Sequence, residues 1–254
     1  DGTRLAARLA VAADGRRSPL AAAAGASWAG RRYGQTGMVC AVAHDRPHVG
    51  VARQVFYPGG PFAMLPLPGD RSAIVWSDRE AEAARIAALD DRAYAAEIAL
   101  RAGGLLGPLR LEGRRWAYPL EVAVAYDYAL PRLALLGDAA HAIHPIAGQG
   151  LNLALRDAAA LAETLAEAAR RGEDPGAATV LERYQRWRRF DAAAFAGVTD
   201  AINRLFSNDI GPLRALRDLG LGVVNAAPGL KRAIVAAAAG RSGDGPRMLR
   251  GERP

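Results

Sequence analysis

Cysteine and lysine are almost missing from this chain. A single cysteine, Cys40, among 254 residues excludes an internal disulfide framework and suits a reducing compartment, or indifference to one. A single lysine, Lys231, leaves arginine to carry the basic charge; 33 basic against 26 acidic side chains give a formal net charge of +7. Alanine is abundant alongside arginine, as a GC-rich coding sequence produces without regard to function. The basic excess favours anionic partners such as phosphates or an acidic membrane surface. No groove-reading module accompanies it, which argues against nucleic acid. No apolar run reaches the ~18–20 residues that a membrane-spanning helix needs; the nearest, Leu219 to Gly240, is interrupted by Lys231 and Arg232. The chain opens at Asp1 with neither an initiating Met nor a signal peptide. It reads as the middle of a protein, and an N-terminal portion is expected upstream.

What is present suits a folded protein. Hydrophobic residues make up 51% and charged residues 23%, which excludes wholesale disorder. The length allows one large or two small domains at ~150 residues each, burying roughly 70–75% of the unfolded surface.

Residues 4–13 read as a strand ending at the turn Asp14-Gly15, and 16–35 as a loop. Short apolar or alternating runs at 36–43, 49–56, 62–67 and 72–77 are punctuated by Asp45-Arg46-Pro47, Pro58-Gly59-Gly60 and Pro68-Gly69-Asp70, the pattern of an antiparallel sheet. Residues 79–102 switch to helical spacing, broken near Asp90-Asp91. Strands are expected again at 109–117 and 120–128, and a buried strand at 132–136. A helix from about Gly150 to Arg171 is stopped by Gly172, and a long amphipathic helix follows over 177–206. Shorter helices are expected near 212–224 and 229–239, and a disordered tail after Gly240. The order suits a mixed α/β framework carrying an inserted β segment.

The densest chemical signal runs from Arg132 to Asp157, RLALLGDAAHAIHPIAGQGLNLALRD. Asp138 follows a buried strand at its carboxyl end, where open α/β sheets bind ligands, and its carboxylate can accept hydrogen bonds from sugar or ribityl hydroxyls. Gly148-Gln149-Gly150 leads into a helix whose first turn offers free N–H groups and a partial positive charge. Pro145 stiffens the loop before it. Taken bare, strand–Gly-Asp–helix is also a common turn, and GQGLNL departs from GxGxxG at Leu153.

GDAAHAIHPIAGQGLNLALRD resembles the second FAD-binding motif of flavin-dependent aromatic-ring hydroxylases, in the HPIAGQGLN form of the ubiquinone-biosynthesis branch. VAADGRRSPL resembles that family's DG motif. YGQTG, ARQVFYPGGPFAMLPLPGDRSAIVWS, the YPL of 118–120 and RLALLGDAAH follow the family's order, so the resemblance extends from Asp1 to about Gly240. It implies the p-hydroxybenzoate-hydroxylase fold, with residues 1–25 and 129–172 in the FAD-binding domain, 26–128 as an inserted antiparallel-sheet substrate domain and 173–254 as a helical region. The family's GxGxxG segment, seat of the ADP half of FAD, does not occur in these residues.

By resemblance, Asp138 matches the ribityl-binding aspartate. Gly148, Gln149, Gly150, Leu151 and Asn152 match the loop and helix start beside the flavin ring, Pro145 the proline near its reactive face, and Asp14 and Gly15 the DG motif, implicated in the pyridine-nucleotide step. The implied chemistry is reduction of FAD by NAD(P)H, followed by O2-dependent hydroxylation of an aromatic ring; the cofactor carries it, and no catalytic side chain is assigned. Phe62, Met64, Leu65 and Pro66 lie in a segment resembling the substrate-domain strand that faces the flavin, an apolar wall suited to a prenylated aromatic substrate; core packing is the alternative.

His141 and His144 have an HxxH spacing, but no ligand cluster completes a metal site, and they are expected to shape the loop. His44 and His48, flanking Asp45-Arg46-Pro47, are expected at the surface, and Cys40 as a buried, inert thiol. The last helices mix apolar residues with Arg214, Arg217, Lys231 and Arg232. Peripheral contact with a membrane or with other ubiquinone-biosynthesis proteins is one reading of them, and packing against the domain the other. The expected location is cytoplasmic, with peripheral contact at the inner face of the cytoplasmic membrane. Two rival functions stay open: flavin hydroxylation of another phenol, and a non-catalytic truncated binding module.

Overall fold

A computed structural model of the chain describes residues 2–206, 211, 220, 222, 224–238 and 245–254. In chain order the elements are β1 (Ala10–Ala12), α1 (Pro19–Ala23), β2 (Trp28–His44), β3 (Arg53–Tyr57), β4 (Gly60–Leu67), β5 (Arg71–Arg79), α2 (Glu80–Ala87), α3 (Asp91–Arg101), β6 (Leu109–Ala125), β7 (Ala129–Leu130), β8 (Leu133–Leu135), β9 (His141–Ala142), α4 (Gly150–Arg170) and α5 (Ala178–Phe206). A further helix spans Pro228–Ala238. The chain divides into two compact units, Asp1–Arg31 with Glu121–Ala201 and Leu219–Pro254, and Arg32–Leu120 with Ile202–Asp218. The divisions between them fall inside the long strands β2 and β6 and at the end of α5.

In the first unit, β1 lies parallel to β8, and β7 pairs antiparallel with β8. Tyr128, Leu133, Leu135, Leu161, Leu181 and Tyr184 form its core with a set of alanines. The small alanine side chains let α4 and α5 approach the short strands closely. Glu163 of α4 takes two hydrogen bonds from Arg247, one from its backbone N–H and one from its side chain, each 2.7 Å. The segment from Gly245 onward is therefore tied down, contrary to the disordered tail expected after Gly240. Residues 239–244 lie outside the described residues, as does most of the helix expected near 212–224.

In the second unit, β3, β4, β5 and β2 form an antiparallel meander-like sheet next to β6. Side chains alternate between its faces. Met38, Cys40, Val42, Phe62, Met64, Ile74 and Trp76 point to the face covered by α2 and α3, packing with Ile86, Tyr94 and Ile98. Their neighbours Val39, Ala41, Ala63, Leu65, Ala73 and Val75, paired across the strands, take the other face. The expected break between α2 and α3 is real. Asp90 caps α3, its carboxylate accepting the Ala93 N–H at 2.8 Å.

Three local expectations are corrected. Residues 16–35 are not a loop: Ser18 caps a five-residue helix, accepting the Ala21 N–H at 2.9 Å with Pro19 at the first helical position, and β2 begins at Trp28. The strand expected over 4–13 shrinks to Ala10–Ala12, the stretch with a partner in β8. The two strands expected at 109–117 and 120–128 are one continuous strand, because Pro119 supports an extended backbone and lacks only a donor.

Candidate cofactor site

Ala12 sits opposite Leu135 where β1 and β8 run side by side. The turns that follow, Asp14-Gly15 and Gly137-Asp138, therefore leave the carboxyl ends of two adjacent parallel strands. Both glycines hold left-handed backbone, with φ of 89° and 60°, which glycine adopts at least cost. The Asp138 side chain is 48% exposed, with Arg16 Nε 3.7 Å from Oδ2, so an ion pair links the two turns. Asp14 is exposed. A hydrogen bond from Ser18 holds its carboxyl below the ordinary value.

Beyond Asp138 the chain forms β9, then a 3-10 turn opened by Pro145, and then Gly148 at φ 61°. His144 anchors that turn by accepting the Ile146 N–H at Nδ1, 3.1 Å. The helix α4 follows from Gly150. Its first turn contains no acidic side chain, and no side chain caps it, so the N–H groups and the positive end of the helix dipole are open to a ligand. Asn152 donates to Gln149 Oε1 at 3.1 Å. Pro145, Gly148, Leu151 and Asn152 are exposed, while Gln149 and Gly150 are half-buried.

Gly150 tests whether the site fits a flavin. Its φ is not positive, and a Cβ built there would meet no atom within 4 Å. Nothing among the described residues requires glycine at this helix start, and the free space is what close approach of a bound ring would need. The donor set agrees: an open carboxylate for ribityl hydroxyls, and helix N–H groups for an electron-rich ring edge.

Behind these surfaces lies a buried polar network. Asp157, fully buried in α4, accepts the Gly137 N–H at 3.0 Å, and its Oδ2 lies 2.6 Å from His141 Nε2. Its other oxygen accepts from Arg188 Nε of α5 at 2.8 Å, and Arg188 Nη1 donates to Asp191 at 2.7 Å. Burial alone would raise the Asp157 carboxyl; the His141 hydrogen bond and the Arg188 charge outweigh it and hold the group below its ordinary value. Among the described residues, three atoms in this region are buried without a hydrogen-bond partner, His141 Nδ1, Tyr128 Oη and Arg188 Nη2. Asp157 closes the sequence motif, but its carboxylate gave no sign of function on its own. Its partner Arg188 is 31 residues away.

The histidines divide differently from expectation. His141 and His144 are both buried in the loop, and burial lowers His144 to a pKa of about 4. Among the described residues no three His, Cys, Asp or Glu side chains gather as a metal site. His44 is buried, not at the surface, with Nε2 2.9 Å from Ser72 Oγ. His48 is half-buried, with Nε2 2.9 Å from the carbonyls of both Leu67 and Gly69. Both pin the turns at one end of the sheet. Cys40 is buried and its thiol pushed up to about 11 by burial.

The apolar wall needs a correction of face. Phe62 and Met64 are core residues, 0% and 3% exposed, packed under α2 and α3, because the two-residue period of β4 turns them there. Pro66 is half-buried in the same register. Leu65 points to the opposite face and is 39% exposed.

The FAD binding domain family matches residues 1–197. A ubiquinone hydroxylase UbiL from Rhodospirillum rubrum is 46% identical over 99% of this chain and 59% of its own length. The 3-demethoxyubiquinol 3-hydroxylase of Escherichia coli is 37% identical over 91% of this chain and 59% of its own. The chain thus spans about 59% of the curated relatives it matches. Among solved structures, p-nitrophenol 4-monooxygenase PnpA from Pseudomonas putida DLL-E4 superposes with a TM-score of 0.73 at 22% identity, over 90% of this chain and 58% of that one, a shared fold. With its two acidic turns at adjacent strand ends and its open, glycine-led helix start, the chain belongs to the FAD binding domain family.

Proposed function

We propose that the full-length protein hydroxylates the aromatic ring of a prenylated ubiquinone precursor, using FAD, NAD(P)H and O2. The carrying observation is one helix, α4, that packs on the Gly137–Ala139 turn and opens with uncapped N–H groups at a glycine the chain itself does not need. The names of the relatives above supply the substrate class.

Bound FAD would supply hydride acceptance from the nicotinamide and activation of oxygen. The protein's part is binding, field and exclusion of water. Asp138 would accept hydrogen bonds from the ribityl chain. The N–H groups of Gly150, Leu151 and Asn152, with the α4 dipole, would stabilise negative charge on the flavin ring. Pro145 and Gly148 fix the loop that carries Gln149 into the start of α4. Asp14 and Gly15 border the pyridine-nucleotide step. The face of the second unit's sheet turned away from α2 and α3 carries Val39, Ala41, Ala63, Leu65, Ala73 and Val75, with Leu65 exposed, an apolar surface that suits a prenylated substrate. Leu230 and Val235, exposed beside Lys231 and Arg232 on the helix Pro228–Ala238, support peripheral contact of a cytoplasmic protein with an acidic membrane surface. Among the described residues no helix is long and apolar enough to cross a membrane.

The test uses the full-length protein, assayed for bound FAD and for NAD(P)H- and O2-dependent hydroxylation of a polyprenyl phenol. It is paired with restoration of ubiquinone in a hydroxylase-deficient strain. A flavoprotein that oxidises NAD(P)H but neither hydroxylates the phenol nor restores the quinone would sink the substrate assignment.

A further inference from the structure

The buried Asp157 is in contact with the flavin-side turn but not with any surface a ligand could reach. Its Oδ2 takes the Gly137 N–H at 3.0 Å, one residue before Asp138. On the same face of α4, one turn earlier, Ala154 packs so closely that a Cβ at Gly137 would lie 3.0 Å from the Ala154 Cβ. Two residues three apart on a helix share a face, so α4 grips Gly137 by shape through Ala154 and by charge through Asp157. The same helix begins at Gly150, the proposed ring-edge contact. From behind, Arg188 of α5 donates to the second Asp157 oxygen at 2.8 Å and is itself held by Asp191 at 2.7 Å. His141 flanks the first oxygen at 2.6 Å. Asp157 and Arg188 are 0% and 2% exposed.

We propose that Asp157, locked by Arg188, is a positioning residue that fixes the ribityl-binding turn Gly137-Asp138 in register with the start of α4. Through that register it sets how tightly the protein holds FAD and how the bound ring is oriented. The proposal rests on the flavin reading above and adds two residues that touch no ligand. A carboxylate is needed because three donors from three different segments converge on it: the Gly137 turn, β9 and α5. An amide presents one oxygen and would set its own N–H groups against at least one of those donors. The unpartnered Nη2 of Arg188 fits this role. The guanidinium is placed for its carboxylates, at the expense of a remaining donor.

The experiment is FAD titration of the full-length apoprotein, followed by visible circular dichroism of the bound flavin, well below the melting midpoint of every variant. Asp157→Asn is expected to weaken FAD binding at least tenfold and to change the visible dichroism, with far-ultraviolet dichroism unchanged. Arg188→Lys keeps the charge but not the fork. It is expected to fold in any event and to weaken FAD about threefold, with the dichroism changed in the same direction. A purely structural role would lower the melting temperature of both variants while leaving FAD affinity and visible dichroism as in wild type, and that result overturns the proposal. If Asp157→Asn does not fold, an Arg188→Lys variant indistinguishable from wild type in both readouts overturns it equally. Wild-type protein that takes up no FAD would overturn the flavin reading itself, whereas wild type that binds FAD alongside variants that bind it equally well would overturn this inference alone.

Discussion

At the scale of single residues, exposure separates the groups proposed to act on a ligand from those that hold the protein together. Asp138 is open and, among the described residues, paired with Arg16 alone across 3.7 Å, so removing its carboxylate should leave the fold intact. We expect Asp138→Ala to weaken FAD binding by on the order of 10- to 100-fold, the value of a hydrogen bond to a charged acceptor, with an unchanged melting curve of the apoprotein; quenching of FAD fluorescence measures it. Cys40 is the converse. Its thiol, pushed up to about 11 by burial, stays protonated at pH 8. A thiol reagent should therefore leave the native protein unlabelled and react with it once in denaturant. The candidate site residues from Asp138 to Asn152 could be proposed from the sequence because they lie in one linear run. Asp157 and Arg188 could not, since a hydrogen bond between residues 31 apart leaves no local pattern. His44 misled because a histidine beside a turn signal reads as exposed, whereas Ser72 on the neighbouring strand gives its ring a buried partner.

At the scale of elements, α4 makes the sharpest prediction. Glycine at a helix start with free space around it is a cost to the empty protein. Gly150→Ala should stabilise the apoprotein by up to ~0.5–1 kcal/mol while weakening FAD binding, because the new methyl occupies the space the ring needs. Thermal melts with and without FAD read the two effects in opposite directions; a variant that binds FAD as well as wild type would remove the argument from Gly150. The helices α2 to α5 were legible from their 3.6-residue period, and the break between α2 and α3 from the Asp90-Asp91 pair, where Asp90 caps α3. The helix α1 was not, because five alanine-rich residues are too few to display a period. The strand β6 looked divided because proline marks breaks far more often than it continues a strand. Strand existence was readable in β4, but its facing was not: two apolar faces carry no alternation, so only the packing of α2 and α3 on Phe62 and Met64 decides which side is core.

At the scale of the whole molecule, acid should be destabilising. The unfolded chain protonates a histidine near pH 6.5, while burial lowers His144 to about 4 in the fold. Between those values the unfolded state binds more protons, so stability rises with pH. The contribution from His144 is complete above about pH 6.5 and is lost as pH falls toward 4, up to ~3 kcal/mol in all. Melting temperatures of wild type and His144→Gln across pH 4–7 measure it, the variant showing a flatter profile over that range. The grip of α4 on Gly137 also turns sequence spacing into a length. Gly150 and Asp157 are seven residues apart, about 10.5 Å along the helix at 1.5 Å per residue. One residue inserted between them would swing the carboxylate by about 100° around the helix axis, away from the turn it holds. The molecule therefore carries a rigid ruler of fixed count: between Gly150 and Asp157, lineages of this chain can exchange residues but not add or remove one.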